Sequence, residues 1–160
     1  MLNSFNKFFR DRRGAMAVEF ALLAPVIIYV LLIVVELGRG IFQLEAVEKG
    51  LRSGAMVAAR SKWSNLSTNE ATTISKIENM VKYGNITGAG TVLVPGWSEA
   101  GASLTVTTRT DTGAVTGVEI KVIRLVASVP YTELMPGMTG FMNLNAIAIN
   151  TSHEQVYIGD

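Results

Sequence analysis

Residues 15–39 read AMAVEFALLAPVIIYVLLIVVELGR, and this stretch decides the architecture. From Phe20 to Val35 it carries no charge, and twelve of those sixteen residues are Phe, Leu, Ile or Val. At roughly −0.3 to −0.6 kcal/mol each they favour bilayer insertion by about 4 to 7 kcal/mol. As a helix, residues 15–35 rise about 31 Å, which matches a hydrocarbon core of about 30 Å. Glu19 lies near one end, where a charge costs least. Pro25 removes one helical hydrogen bond, so a bend is expected near Ala21–Pro25. Ahead of the span, Lys7, Arg10, Arg12 and Arg13 face Asp11 alone, giving residues 1–14 a charge of +3. The whole chain carries +1, so the remainder carries 1 − 3 = −2. The positive-inside rule then predicts a cytoplasmic N-terminus, a single pass and an outward-facing portion beyond Glu36.

A cleaved secretory signal fits poorly, because its apolar core normally runs 7 to 15 residues and Gly38 and Gly40 are a weak imitation of its small-residue site. Arg12-Arg13 lacks the residues that would make it a twin-arginine signal. The 160 residues, 49% apolar and 17% charged, suit one modest domain with a membrane appendage. The near-zero net charge gives no reason to expect a nucleic-acid partner. The absence of cysteine excludes disulfides and thiolate chemistry.

The most specific constellation is Arg12, Arg13, Gly14, Ala15, then Glu19-Phe20: a basic leader ending in glycine, with an acid five positions later. Extended through Pro25, Glu36, Gly38 and Arg39, it resembles the TadE-like pseudopilins of tight-adherence (Flp/Tad) pilus systems, a branch of the type IV prepilin-like proteins. The resemblance is close over about residues 12–40. It implies cleavage between Gly14 and Ala15 by a prepilin peptidase. It also implies a pilin-like fold, a role as minor pilin or initiator in pilus assembly and surface attachment, and as partners other pilins and pseudopilins, the inner-membrane assembly machinery and the bilayer. Cleavage would remove the +3 leader and place a new amine one helical turn from Glu19. A carboxylate at that depth is costly unless paired, and a neighbouring subunit's amine has the right sign. Phe20 reads as a lipid-facing or packing residue. The competing reading is an uncleaved single-pass anchor that presents a periplasmic binding domain.

Four regions follow: a leader at 1–14, a membrane and assembly helix at 15–36, an amphipathic continuation at 37–62 and an extracytoplasmic head at 63–160. In the continuation, Leu37, Ile41, Leu44, Leu51, Ala55 and Ala58 are expected to form the core-facing stripe, with bends allowed at Gly38 and Gly40. Ala46, Gly50, Gly54 and Ala58 form a second stripe of small residues that permits close packing within the head. Glu45–Lys49 and Glu48–Arg52 have the spacing of helical ion pairs. Ser67 to Glu70 matches a capping box opening one short helix that ends near Gly84.

Strands are expected around Leu104–Thr107 and Val118–Val122 with a turn at 111–113. The apolar parity shifts after Val122, which predicts a bulge or burial on both faces, and Pro130 should end that strand. A further strand is expected within 143–152, extended by 153–158, and residues 134–142 read as a loop. The fold class is α+β: a long N-terminal membrane helix packed on a small antiparallel sheet. His153, the only histidine, reads as a surface residue, and no second ligand stands at a metal-binding spacing. Gly88-Ala89-Gly90 is no nucleotide fingerprint, and the N-x-Ser/Thr triplets at Asn65, Asn85 and Asn150 carry little weight. No catalytic residues, metal or cofactor are expected, and no enzymatic activity.

Overall fold

The computed structural model describes residues 12–112, 118–134 and 147–159, the side chains of Arg12 and Arg13 excepted. In order, the elements are helix α1 (Arg12–Ala59), helix α2 (Trp63–Ser67), helix α3 (Ala71–Tyr83), a 3₁₀ turn (Pro95–Ser98) and strands β1 (Ser103–Thr112), β2 (Glu119–Pro130) and β3 (Ala148–Val156). The chain divides into two compact units, Met1–Arg39 and Gly40–Asp160. The α+β class expected from the sequence is observed, with α2 as a second short helix beyond the one expected.

The first unit is the apolar half of α1, continuous through Pro25. Its large side chains are exposed: Phe20 at 68%, Leu22 at 71% and Leu31 at 59%. A helix that is apolar on every side and uncovered meets the length and composition required to cross a bilayer.

The second unit is the head. Its sheet has the order β1-β2-β3 and is antiparallel throughout. One face of β2 supplies Ile123, Leu125, Ala127 and Val129, all fully buried against Val47, Leu51, Ala55 and Ala58 of α1 and Ile77 and Val81 of α3. Leu104 and Val106 of β1 pack against the same core from its edge, while Thr105 and Thr107 face outward, as their alternation predicts.

The small-residue stripe explains how α1 and α3 approach each other. A Cβ on Gly50 would lie 2.6 Å from the Val81 carbonyl, and one on Gly54 would overlap the Val81 side chain. Only glycine lets the α3 backbone sit there. Intramolecular packing is therefore what this stripe serves. The wider stripe needs correction. Leu51, Ala55 and Ala58 are buried, but Leu37 and Ile41 are 60% exposed and Leu44 is 38% exposed. The buried line runs instead through Gln43, Val47, Gly50 and Gly54, with glycine at the two positions where Val81 of α3 comes closest.

Helix α1 ends at Ala59, three residues short of Lys62. Arg60 N–H and Ser61 N–H turn back to the Val57 and Ala58 carbonyls, the Ser61 hydroxyl donates to Val57, and Lys62 is extended. The capping box is also corrected. Ser67 closes α2, its hydroxyl donating to the Ser64 carbonyl, and Glu70 is itself the N-cap of α3, accepting from Thr72 N–H and Thr73 N–H. The C-terminal end is as expected: Gly84 adopts φ +74, the left-handed cap conformation.

Neither ladder contains a bulge at Val122, where pairing to Arg109 and to Val156 is regular. The other expectation, burial on both faces, is met at the shift itself, where Val122 and Ile123 are both buried. Val118, Ile120 and Val126 lie on the outer face and are exposed, whereas Val122 beside them is buried. Strand β1 runs through Asp111 and Thr112, paired with Ile120 and Glu119, so the expected turn does not include them; residue 113 lies outside the described residues. Strand β2 stops at Pro130. Strand β3 begins at Ala148 and includes His153 to Val156, so the expected extension forms its second half. Residues 143–146 and most of the 134–142 loop lie outside the described residues.

At the C-terminal end of β3, the Tyr157 hydroxyl donates to the Ser61 carbonyl at 2.9 Å. Its ring lies 5.2 Å from that of Trp63, with Lys121 over both. The last strand is thereby fastened to the segment where α1 ends.

Candidate functional site

The residues singled out by sequence all lie on α1, and the structure distributes them along it. Gly14, Ala15, Glu19, Phe20 and Pro25 are exposed on the first unit. Ala15 and Glu19 are four residues apart on continuous helix, which places them about 6 Å apart along the axis and on neighbouring positions of one face. A Cβ on Gly14 or on Gly38 would meet nothing within 4 Å, so neither glycine is required by packing inside the chain. At the end of this unit Glu36 is buried, 7% exposed, while Gly38 and Arg39 are half-buried. The geometry is that of an uncovered apolar rod with one acidic side chain close to its start.

The flanking half of α1 carries the two ion pairs expected of it, Glu45–Lys49 at 3.5 Å and Glu48–Arg52 at 3.7 Å. His153 is half-buried rather than at the surface. It lines a cleft of about 140 Å³ with Glu48, Arg52 and Ser152, because odd-numbered residues of β3 face the core side of the sheet. The outer face of the sheet holds a charge network: Arg109 with Asp111 at 2.9 Å and with Glu154 at 3.2 Å, and Arg124 with Glu154 at 3.6 Å. Every member is about half exposed, which limits each pair to a small contribution.

One carboxyl is clearly perturbed. Hydrogen bonds from Thr73 and then Thr72 hold Glu70 at about 2, against an ordinary 4.5, with weak desolvation opposing. Its oxygens accept from Thr73 N–H at 2.7 Å and Thr72 N–H at 3.1 Å. This is helix capping, and it makes no catalytic arrangement. Among the described residues no three His, Asp or Glu side chains gather as metal ligands.

Sequence reasoning passed over Gln43, Thr132 and Glu133, whose side-chain oxygens are buried in the head. Gln43 was legible in part: it lies four residues before Val47 and seven before Gly50, on the line the small-residue stripe defines.

No curated protein and no solved structure matches the chain. The sequence model of the family described as TadE-like protein does match, over residues 14–56. The matched segment begins at the glycine that closes the basic leader and covers the span and most of the helix that enters the head core. It supports a pilus-associated protein of a Tad system with a candidate membrane span. Over residues 14–56, from Gly14 into the head, this chain is similar to the TadE-like family.

Proposed function

We propose that the chain is a pseudopilin, or minor pilin, acting in assembly or initiation of a Tad pilus. A prepilin peptidase cuts between Gly14 and Ala15, the leader remains cytoplasmic, and the head is periplasmic or carried into the pilus. The observation that carries this reading is that the TadE-like match begins at Gly14, directly after the basic leader, and runs along an exposed apolar helix long enough to cross a membrane. After cleavage the Ala15 amine and the Glu19 carboxylate lie on one face at the membrane surface. Each finds its partner on a neighbouring rod, which fixes parallel packing at a set stagger. Phe20 and the exposed residues up to Val35 supply the apolar contact with lipid or with other pilins. The pilus assembly machinery of the inner membrane engages the same rod. This reading assigns the protein no catalytic chemistry.

Intact-mass measurement on protein from cells with and without the peptidase tests it. The expected result is a chain starting at Ala15 only when the peptidase is present, with Gly14→Leu keeping the full length in both. In the processed protein, Glu19→Ala is expected to insert and to be cleaved normally while co-purifying less with pilus components. A chain that retains Met1 in a piliated, peptidase-competent cell contradicts the proposal and leaves a single-pass anchor presenting the head.

A further inference from the structure

Four buried side-chain oxygens on two adjoining segments of the head have no hydrogen-bond partner among the described residues: Gln43 Oε1, Thr132 Oγ1, and Glu133 Oε1 and Oε2. The segments are tied together, since Gln43 Nε2 donates to the Thr132 carbonyl at 3.1 Å. Gln43 is only 6% exposed, so its carbonyl end is held inside the fold. A buried carboxylate with neither donor nor countercharge is among the least tolerable groups in a protein interior. None of the ion pairs among the described residues includes Glu133. The sequence that follows, MPGMTGFMNLNA at 135–146, contains no Lys, Arg or His. That segment therefore brings no countercharge to Glu133, and a metal cation or a proton would supply one.

The donor set distinguishes between cations. It consists of oxygen alone: a carboxylate able to bind through both atoms, an amide carbonyl and a hydroxyl, with the Thr132 backbone carbonyl beside them. Such a mixture of carboxylate, carbonyl and hydroxyl oxygens suits a hard cation. Calcium accepts carbonyl and amide oxygens in irregular geometry, whereas magnesium demands a near-ideal octahedron and keeps its waters.

We propose that Gln43, Thr132 and Glu133 form a weak calcium site that joins α1 to the segment after β2. With a single carboxylate, the site belongs in the range of extracellular modules, with Kd about 10⁻⁴ to 10⁻³ M. The inference is independent of pilus assembly and of cleavage at Gly14.

Thermal unfolding and calorimetric titration of the full chain in detergent, stripped with EDTA and then given CaCl2 or MgCl2, test it. Calcium is expected to raise the melting temperature saturably and more than magnesium does. Glu133→Gln should weaken binding about tenfold or more, and Gln43→Glu, which adds a second carboxylate, should tighten it about tenfold. The proposal is overturned if the wild type shows no response to calcium while Glu133→Gln melts higher and acidification stabilises the wild type, because the partner is then a proton. A calcium response unchanged in Glu133→Gln also overturns it. If Glu133→Gln does not fold, an unchanged calcium affinity in Gln43→Glu overturns it in the same way.

Discussion

The two halves of α1 belong to one unbroken helix and obey opposite rules. Up to Arg39 the helix places its large residues on the outside: Leu22, Ile28 and Val34 are all more than half exposed. From Gly40 onward the buried side is built from Val47, Gly50, Leu51, Gly54 and Ala58, and the sheet and α3 lie against it. Helical geometry is the same in both. What differs is whether the chain itself supplies the apolar surroundings. Apolar content alone therefore says little about function; its coverage within the fold says much more.

The strongest way to break this comparison is to truncate one side chain in each half. Leu51→Ala removes a fully buried side chain and should cost the head about 2 to 5 kcal/mol in a denaturant or thermal melt. Ile27→Ala, at a position 51% exposed, should leave the same transition within about 0.5 kcal/mol. Equal effects would erase the distinction between the halves.

Glycines sharpen it at a smaller scale. Gly54→Val inserts atoms where Val81 already sits and should destabilise the head by about 1 to 3 kcal/mol. Gly38→Ala meets open space and should not destabilise it. Circular dichroism melts of the two variants, side by side, decide the point.

The smallest effect concerns the head alone. Since the folded-state value of Glu70 lies below its ordinary one, its contribution is complete above about 4.5 and is lost as pH falls toward 2. Acid titration of stability should show that loss in the wild type, and Glu70→Ala should flatten this part of the profile. A profile unchanged by the substitution would remove the cap from the account.

How much of this was legible in the sequence follows from the length scale of each signal. The span was plain because sixteen consecutive uncharged residues need no partner to be recognised. The alternation of Leu104 and Val106 with threonines reported its own face of the sheet. The phase of the helix within the head was not legible from apolarity, since Ile41 and Phe42 are greasier than several residues that do reach the core. Gly50 and Gly54 marked the buried side better, because contact with a backbone leaves no room for anything else. Ser67 and Glu70 had capping-box spacing, yet the break at Asn69, whose φ is +52, separates two helices there. Spacing alone cannot register such a break. The oxygens of Gln43 and Glu133 were invisible because their residues lie far apart in the chain and meet only in three dimensions. Of the candidate site, Gly14, Glu19 and Pro25 were nominated from a local pattern of basic leader and apolar span, and the structure places all three exposed on the first unit.

The claim on which the rest depends is that residues up to Arg39 serve the membrane and assembly, while the head holds itself together. Among the described residues, the buried apolar core of the head lies at Val47 or later, with Ala46 packed against it. The direct test compares the full chain with residues 40–160, by alkaline extraction of membranes and by thermal melting. The account predicts that the full chain stays with the membrane, whereas the shortened chain leaves it and still unfolds in one cooperative transition. A shortened chain with no folded head, or a full chain released by alkaline washing, would contradict it.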